Sequence, residues 1–489
     1  MSEPQTPDWV RDAVFYQIFP DRFARSLTQA KSFRLDAWGA PPRWSGYQGG
    51  DLVGVVERLD HLVDLGVNAI YFTPIFQSAS NHRYHTHDYE KVDPMLGGDA
   101  ALRRLLDVAH ARGIKVVLDG VFNHASRGFF PFHDVLEQGA DSAYLDWFTI
   151  LDFPLNAYES DKPPAYHAWW GLPALPKFNV ATPAVREYLW GIGRKWIEFG
   201  IDGWRLDVAN EIDDDSFWRE FRRQVKGANP DAYVVGEVWS EATRWLNGGD
   251  MWDAVMNYPF TRACLAFFGG SSLDPEPIRK TSLFPLGPHD GFTFRDKIER
   301  LIAIYPPSVT AVMLNLLGSH DMARLLTLAR GDRSTVRLAT LFQITYPGAP
   351  SIYYGDEIGM EGGHDPDNRR AFPWHDTDSW DRDLLHDYQR MIALRHAHPS
   401  LRRGGYQILH AGPDTFVHAR TLGEEMILVA FNVGRATRRI DVPLRNLAPE
   451  GTGFEEIWRK NVVIVEGGSV RGLELAPRSA RVFQGTGRG

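Results

Sequence analysis

The stretch GWRLDVANE, residues 203 to 211, follows the helical run VREYLWGIGRKWIEFG and reads as a short core strand, except that Arg205 and Asp207 stand where valine or leucine belongs. Side chains alternate along a strand, so Arg205 and Asp207 share one face while Leu206 and Val208 pack on the other. A guanidinium beside a carboxylate favours its charged form, and Asp207 is expected to stay ionised. Such a carboxylate can pair structurally, bind a metal, stabilise a cation or attack carbon; the stretch alone leaves these readings open.

A helical pattern running into a buried strand is one βα unit, and the same alternation extends from residue 14 to about 360. The candidate strands are VFYQIF (14–19), AIYFTPIF (69–76), KVVLDGVF (115–122), GWRLDV (203–208), AYVVGEVW (232–239), AVMNYPF (254–260), VMLNLLGSH (312–320) and SIYYGDEIG (351–359). Eight units predict a closed (β/α)8 TIM barrel, in the α/β class, over residues 1–123 and 180–399. Residues 124–179 lack the periodicity and are rich in Pro, Trp and Tyr, so they read as an inserted loop domain after the third strand. From 400 to 489 the pattern becomes alternating strands, which predicts a C-terminal antiparallel β-sandwich.

The bulk numbers narrow the function. The 489 residues carry a net charge of −9, with 53 basic and 62 acidic side chains, and no long block of one sign. That argues against nucleic acid and anionic membranes as partners and suits a neutral substrate. The N-terminus shows no basic and apolar leader pattern, and no apolar run reaches the ~20 residues of a membrane span, so a cytoplasmic protein is expected. The single cysteine, Cys264, excludes an internal disulfide and a thiolate metal cluster.

Functional groups of such a barrel gather at the C-terminal ends of its strands. Here the third strand ends in Asp119, Asn123 and His124, the fourth in Arg205 and Asp207, the fifth in Glu237 and the seventh in His320 and Asp321. Two carboxylates flanking a glycosidic bond are the apparatus of glycoside hydrolysis, about 5 to 5.5 Å apart for retention and 6.5 to 9.5 Å for inversion. Adjacent strands place Asp207 and Glu237 in the shorter range. Val235, Val238 and Trp239 around Glu237 are expected to desolvate it and favour its protonated form.

The segments DGVFNH, GWRLDVANE, GEVW and LLGSHD, in that order, resemble the four signature regions of the α-amylase family of retaining glycoside hydrolases. LPKFN (175–179), VANE and GGHDPDNRR (362–370) are similar to motifs of its neopullulanase, cyclomaltodextrinase and maltogenic amylase group. The resemblance implies Asp207 as nucleophile, Glu237 as general acid/base and Asp321 as transition-state stabiliser. It further implies that His124, Arg205 and His320 bind the sugar at the cleavage point, that Tyr89 stacks on that ring, and that Asp365 and Arg369 grip the non-reducing side. Val208, Asn210, Glu211 and Trp239 fall on the leaving-group or acceptor side. The implied activity is hydrolysis of α-1,4 bonds of small or cyclic malto-oligosaccharides to maltose or glucose through a covalent glycosyl-enzyme, with cleavage of α-1,6 bonds left open.

The chain departs from the group's pattern in three places. Its first strand begins near residue 14, without the group's N-terminal domain, so a homodimer would need another contact. YHTHDY (84–89) has His85 where an aspartate is usual. The loop SLTQAKSFRLDAWG (26–39) lacks the Asn and Asp cluster that binds calcium in relatives, although Gly49 and Asp51 persist, so no cofactor is required and calcium is disfavoured. The histidines of NHRYHTHDY show no helical i, i+4 pair, so no metal site is expected there. Tyr166, Trp169, Trp170 and Phe178 are expected to wall the barrel mouth. The alternatives are a transglycosylase, glucanotransferase or α-glucosidase on the same scaffold, and a noncatalytic glycan-binding barrel, which retention of all three carboxylates disfavours.

Overall fold

A computed structural model describes residues 3–29, 31, 34–159, 162–279, 281–444 and 447–485. The chain divides into two compact units. The first comprises Met1–Asp8, Phe15–Met256 and Arg369–Ser379, and the second Trp9–Val14, Asn257–Asn368 and Trp380–Gly489.

The first unit holds six parallel strands: β1 (Phe15–Ile18), β2 (Ala69–Phe72), β3 (Lys115–Gly120), β4 (Gly203–Leu206), β5 (Tyr233–Gly236) and β6 (Ala254–Val255), each hydrogen-bonded to the next in chain order. Every residue of β1, β2, β4 and β5 is buried, which explains near-continuous apolar runs in place of strict alternation. Gly203 is needed where β4 meets β5, since a Cβ there would come within 2.3 Å of the Tyr233 carbonyl oxygen. Between strands run amphipathic helices. Asp215–Ala228 buries Phe217, Trp218, Phe221 and Val225 on one stripe, and Asp214 caps it by accepting the Phe217 N–H at 3.0 Å. Pro183–Phe199 ends at Gly200, in the left-handed conformation at φ 117°, as helix-terminating glycines do.

Residues 124–179 belong to this unit. Isolated antiparallel bridges (His124 to Lys177, Phe148 to Phe178, Ile150 to Tyr166, Ala168 to Pro176) fold the segment back on itself. They enclose Phe129, Phe132, Phe148, Tyr166 and Phe178, all buried.

The second unit contains two parallel strands, β7 (Leu314–Leu316) and β8 (Ala349–Tyr353), and a C-terminal region of two antiparallel sheets. One has six strands, from Gly405–Ala411 to Ser479–Gly485; the other pairs Arg438–Pro443 with Ser469–Leu475. Alternate residues of both, among them Val417, Ala419, Leu428, Ile440, Val442, Leu473 and Leu475, form a single apolar core, the inner layer of a sandwich. Six and two parallel strands make the eight expected, and the fold class is the (β/α)8 barrel with a C-terminal antiparallel β-sandwich. No helix among the described residues is long and apolar enough to cross a membrane.

Each of the eight parallel strands is shorter than the sequence suggests, and in two of them a local contact shows why. AVMNYPF contributes only Ala254–Val255, because the Asn257 side chain accepts the Phe260 N–H and starts the helix Tyr258–Cys264. GWRLDV stops at Leu206: Val208 is turned into the left-handed region at φ 37°, so it does not share a strand face with Leu206.

Candidate active site

Register assembles the centre of the site. In the pairing of β3 with β4, Asp119 stands beside Arg205; in that of β4 with β5, Arg205 stands beside Val235 and Leu206 beside Gly236. Arg205 is fully buried. Its Nη1 donates to Asp119 Oδ2 at 2.9 Å and to Asp207 Oδ1 at 2.8 Å, and its Nη2 lies 2.8 Å from Glu237 Oε2. Taking a cation out of water costs several kcal/mol unless opposite charges surround it. Burial alone would lower the Arg205 pKa, but Asp119 and Glu237 overturn that and raise it well above its ordinary value. Arg205 therefore stays charged.

Among the carboxylates, the sequence pairs this guanidinium with Asp207 alone. The structure corrects that: Arg205 bridges three carboxylates, and Glu237 is not simply desolvated by its apolar neighbours. Glu237 Oε2 also accepts the Val208 N–H at 3.0 Å, and Oε1 accepts the Trp239 indole N–H at 3.2 Å. Asp207 is fixed through its own N–H, which donates to the Gly120 carbonyl at 3.0 Å. Both carboxylates sit on one guanidinium, which brings them close together.

Asp119 supports the cluster from below. Burial, the largest influence, raises its pKa above the ordinary value against the pull of Arg205, and it accepts the Tyr71 and Tyr84 hydroxyls at 3.0 and 2.8 Å. Tyr84 is half-buried, with its ring stacked 5.8 Å from that of His82. The sequence reading missed Tyr84 and gave Tyr89 the stacking role instead. Tyr89 is fully buried and cannot touch a sugar. It lies on the inner side of the strand Thr86–Val92, packs against Phe129, Phe178 and Tyr188, and its hydroxyl donates to the His124 carbonyl at 2.7 Å. What sequence could have offered was the other tyrosine of YHTHDY, placed before that strand begins.

His124 is buried and neutral, its pKa pushed down to about 3 chiefly by burial. The Asn123 amide lies 3.2 Å from its Nδ1 and can only donate there from nitrogen, which puts the ring proton on Nε2. Nε2 makes no well-formed hydrogen bond among the described residues, although the ring lies close enough to the Tyr84 backbone for that group to favour its protonated form. Trp169 stacks on the His124 ring at 5.2 Å and Trp170 on Trp169 at 4.4 Å. Trp170 is 80% exposed and holds φ 51°, a conformation costly for a bulky residue. Tyr166 and Phe178 do not join this surface: both are buried inside the inserted segment, against Phe132 and Phe148.

Asn210 and Glu211 are exposed on the short turn after Val208, and Glu211 pairs with Lys177 at 3.0 Å. His85 is held neutral, its pKa lowered to about 4 mainly by burial. Arg369 is buried in the first unit, its guanidinium 5.5 Å from the Phe19 ring. In the second unit, His320 Nε2 is 3.2 Å from Asp321 Oδ2, Asn368 donates to the His320 carbonyl at 2.7 Å, and Asp365 is half-buried. The structure thus unites Asp119, Arg205, Asp207, Glu237 and Trp239 in one network, His124 with Trp169 in another, and His320 with Asp321 in a third.

Comparison with known proteins gives the family. Residues 17–380 match the family described as alpha amylase, catalytic domain, and residues 406–484 match the neopullulanase-like C-terminal domain. The chain is 49% identical over 436 residues, 88% of its length, to 74% of a cyclomaltodextrinase from a Bacillus species. The solved debranching enzyme from Nostoc punctiforme is 48% identical, with a TM-score of 0.91, covering 99% of this chain and 100% of that one. A cyclic α-maltosyl-(1→6)-maltose hydrolase from Arthrobacter globiformis is 36% identical, with a TM-score of 0.85, covering 98% of this chain and 99% of that one.

Proposed function

The chain belongs to the α-amylase family and is a glycoside hydrolase acting on α-glucans, and from that premise we propose that it cleaves α-1,4, and with them α-1,6, glucosidic bonds of small or cyclic malto-oligosaccharides to maltose and glucose. The buried group in which one guanidinium holds Asp119, Asp207 and Glu237 carries this reading. Asp207 attacks the anomeric carbon as Glu237 protonates the departing oxygen. A covalent glycosyl-enzyme forms, and water, deprotonated by Glu237, then breaks the Asp207 ester. Asp321, with His320, is assigned to stabilising the charge that develops on the sugar, and the Nε2–H of His124 to a hydroxyl of the same ring. Tyr84 replaces Tyr89 as the tyrosine beside that ring. Asp365 and Arg369 are assigned to the sugar on the non-reducing side, and Val208, Asn210, Glu211 and Trp239 to the leaving group or acceptor.

Trp169 and Trp170 support a preference for compact substrates, since stacked indoles offer a flat apolar face to a sugar ring. The named activities of the cyclomaltodextrinase and the cyclic maltosyl-maltose hydrolase point the same way. We expect kcat/KM for a cyclodextrin or a four-to-seven-unit maltosaccharide to exceed that for soluble starch by at least about tenfold, roughly 1.4 kcal/mol of transition-state discrimination. Equal hydrolysis of starch, with long oligosaccharides released early, would overturn the preference.

We also propose that the enzyme needs no calcium and works in the cytoplasm, where its lone thiol, buried Cys264, is at home. The buried carboxylate of Asp51 is already engaged: Lys31 Nζ donates to its Oδ2 and to the Met95 carbonyl, both at 2.8 Å, and Gly54 N–H donates to its Oδ1 at 2.7 Å. Residues 30, 32 and 33 of that loop lie outside the described residues. Dialysis against EDTA is expected to leave activity and melting temperature unchanged, and loss of either that added calcium restores would contradict this.

A further inference from the structure

Val208 sits directly after Asp207 with φ 37° and ψ 46°, an outlier for a β-branched residue. Its N–H meets Glu237 Oε2 at 3.0 Å, and its carbonyl accepts the Glu211 N–H at 2.9 Å. The turn 208–211 therefore begins on Glu237. Because Glu237 hands its proton to the departing oxygen and later takes one from the incoming hydroxyl, this turn lies on the side where leaving groups depart and acceptors arrive.

The far end of the turn is held by Lys177. Its Nζ donates to Glu211 Oε2 at 3.0 Å and reaches the Glu211 carbonyl at 3.4 Å. Lys177 is itself anchored. It forms an antiparallel bridge with His124, and its N–H donates to the His167 carbonyl at 2.9 Å. On either side, Phe178 N–H donates to Asn123 at 3.1 Å and Ala125 N–H to Pro176 at 3.0 Å. One lysine thus joins the inserted segment, at His124, to the turn that begins on Glu237.

We infer that Lys177 is a positioning residue that sets how the glycosyl-enzyme divides between water and a sugar acceptor. This rests on the assignment of Asp207 and Glu237 above. In either outcome an acceptor O–H loses its proton to Glu237, its oxygen bonds the anomeric carbon, and the bond to Asp207 Oδ breaks to return the carboxylate. Water needs little more than Glu237 for this. A sugar must also be oriented, which requires a wall that does not move. Without its ammonium, the Glu211 carboxylate on that wall loses its fixed place, so transfer to sugar should suffer more than hydrolysis. The side chains of Lys177 and Glu211 are 26% and 39% exposed, so the pair adds little to stability and its effect is one of position.

The test uses α-maltosyl fluoride as donor, whose fluoride leaves without protonation, and glucose as acceptor, with the ratio of transfer to hydrolysis read at equal donor consumption. Lys177→Met and Glu211→Gln should each lower that ratio at least about threefold, on the scale of a half-exposed ion pair. The double variant should lower it no further than the larger single change, and Lys177→Arg should restore it. Ratios equal to the unmodified enzyme in both single variants, or additive losses in the double, would overturn the role of Lys177 alone. Absence of fluoride release from the unmodified enzyme would overturn the glycosidase assignment and this inference together.

Discussion

Asp207→Asn and Glu237→Gln are each expected to lower kcat by roughly a thousandfold or more, because in the proposed two-step displacement each removes an obligatory participant. The two losses should differ in kind. With an amide at 207 no glycosyl-enzyme forms whatever the leaving group. With an amide at 237 the first step survives for a leaving group that needs no proton, so an aryl or fluoride donor should recover that step and stall at the second. Azide should rescue Asp207→Gly with inversion and Glu237→Gly with retention, since it enters from opposite faces of the sugar. The Asn and Gln substitutions keep shape, and the amide oxygen of each can still accept from Arg205, and in Glu237→Gln from the Val208 N–H as well, at the loss of the Trp239 contact, so the variants should fold. Near-native turnover by either would exclude its residue from the chemistry.

Much of this site could be read in sequence because barrels display function at strand ends. Charges inside runs such as GWRLDV have no packing rationale, so Arg205, Asp207 and Glu237 stand out from their neighbours. The strands of the C-terminal sandwich were legible for the opposite reason: one side of each faces a core, and the alternation in RRIDVPL records it.

What sequence did not reveal depends on register and on contacts distant along the chain. That Arg205 also serves Asp119 and Glu237 follows from pairings between β3, β4 and β5, which no local pattern encodes. Tyr84 and Tyr89 are chemically alike and five residues apart; only the packing of Phe129, Phe178 and Tyr188 around the second decides that it is a core residue. Tyr166 and Phe178 were misplaced in the same way, since an aromatic-rich insertion needs a core of its own before it can offer rings to a ligand. Val208 was read as strand because valine favours strands, and its left-handed turn is imposed by what its amide must reach.

Replacing Arg205 by Met tests how far fold and chemistry depend on the same contacts. Methionine fills the place of the arginine's aliphatic stem but leaves Asp119, Asp207 and Glu237 buried around no cation, and removing one partner from a buried ionic group typically costs about 3 to 5 kcal/mol. Part of that cost will be avoided by proton uptake. Asp119 already has a pKa raised by burial against the pull of Arg205, and without Arg205 its folded-state pKa must climb further above its unfolded value. The folded variant then binds more protons than the unfolded chain at neutral pH, so its stability must rise as pH falls towards the ordinary carboxylate range and decline as pH rises. The expected result is an apparent melting temperature lower by about 3 °C or more at pH 7, with the deficit narrowing at pH 5, and loss of turnover at both. Arg205→Lys should recover only part of the stability, since a point-like ammonium cannot reach three carboxylates as a planar fork does. A methionine variant that melts like the unmodified enzyme at pH 7 would mean that the three carboxylates do not depend on Arg205, and the account of the site as one charge network would fail.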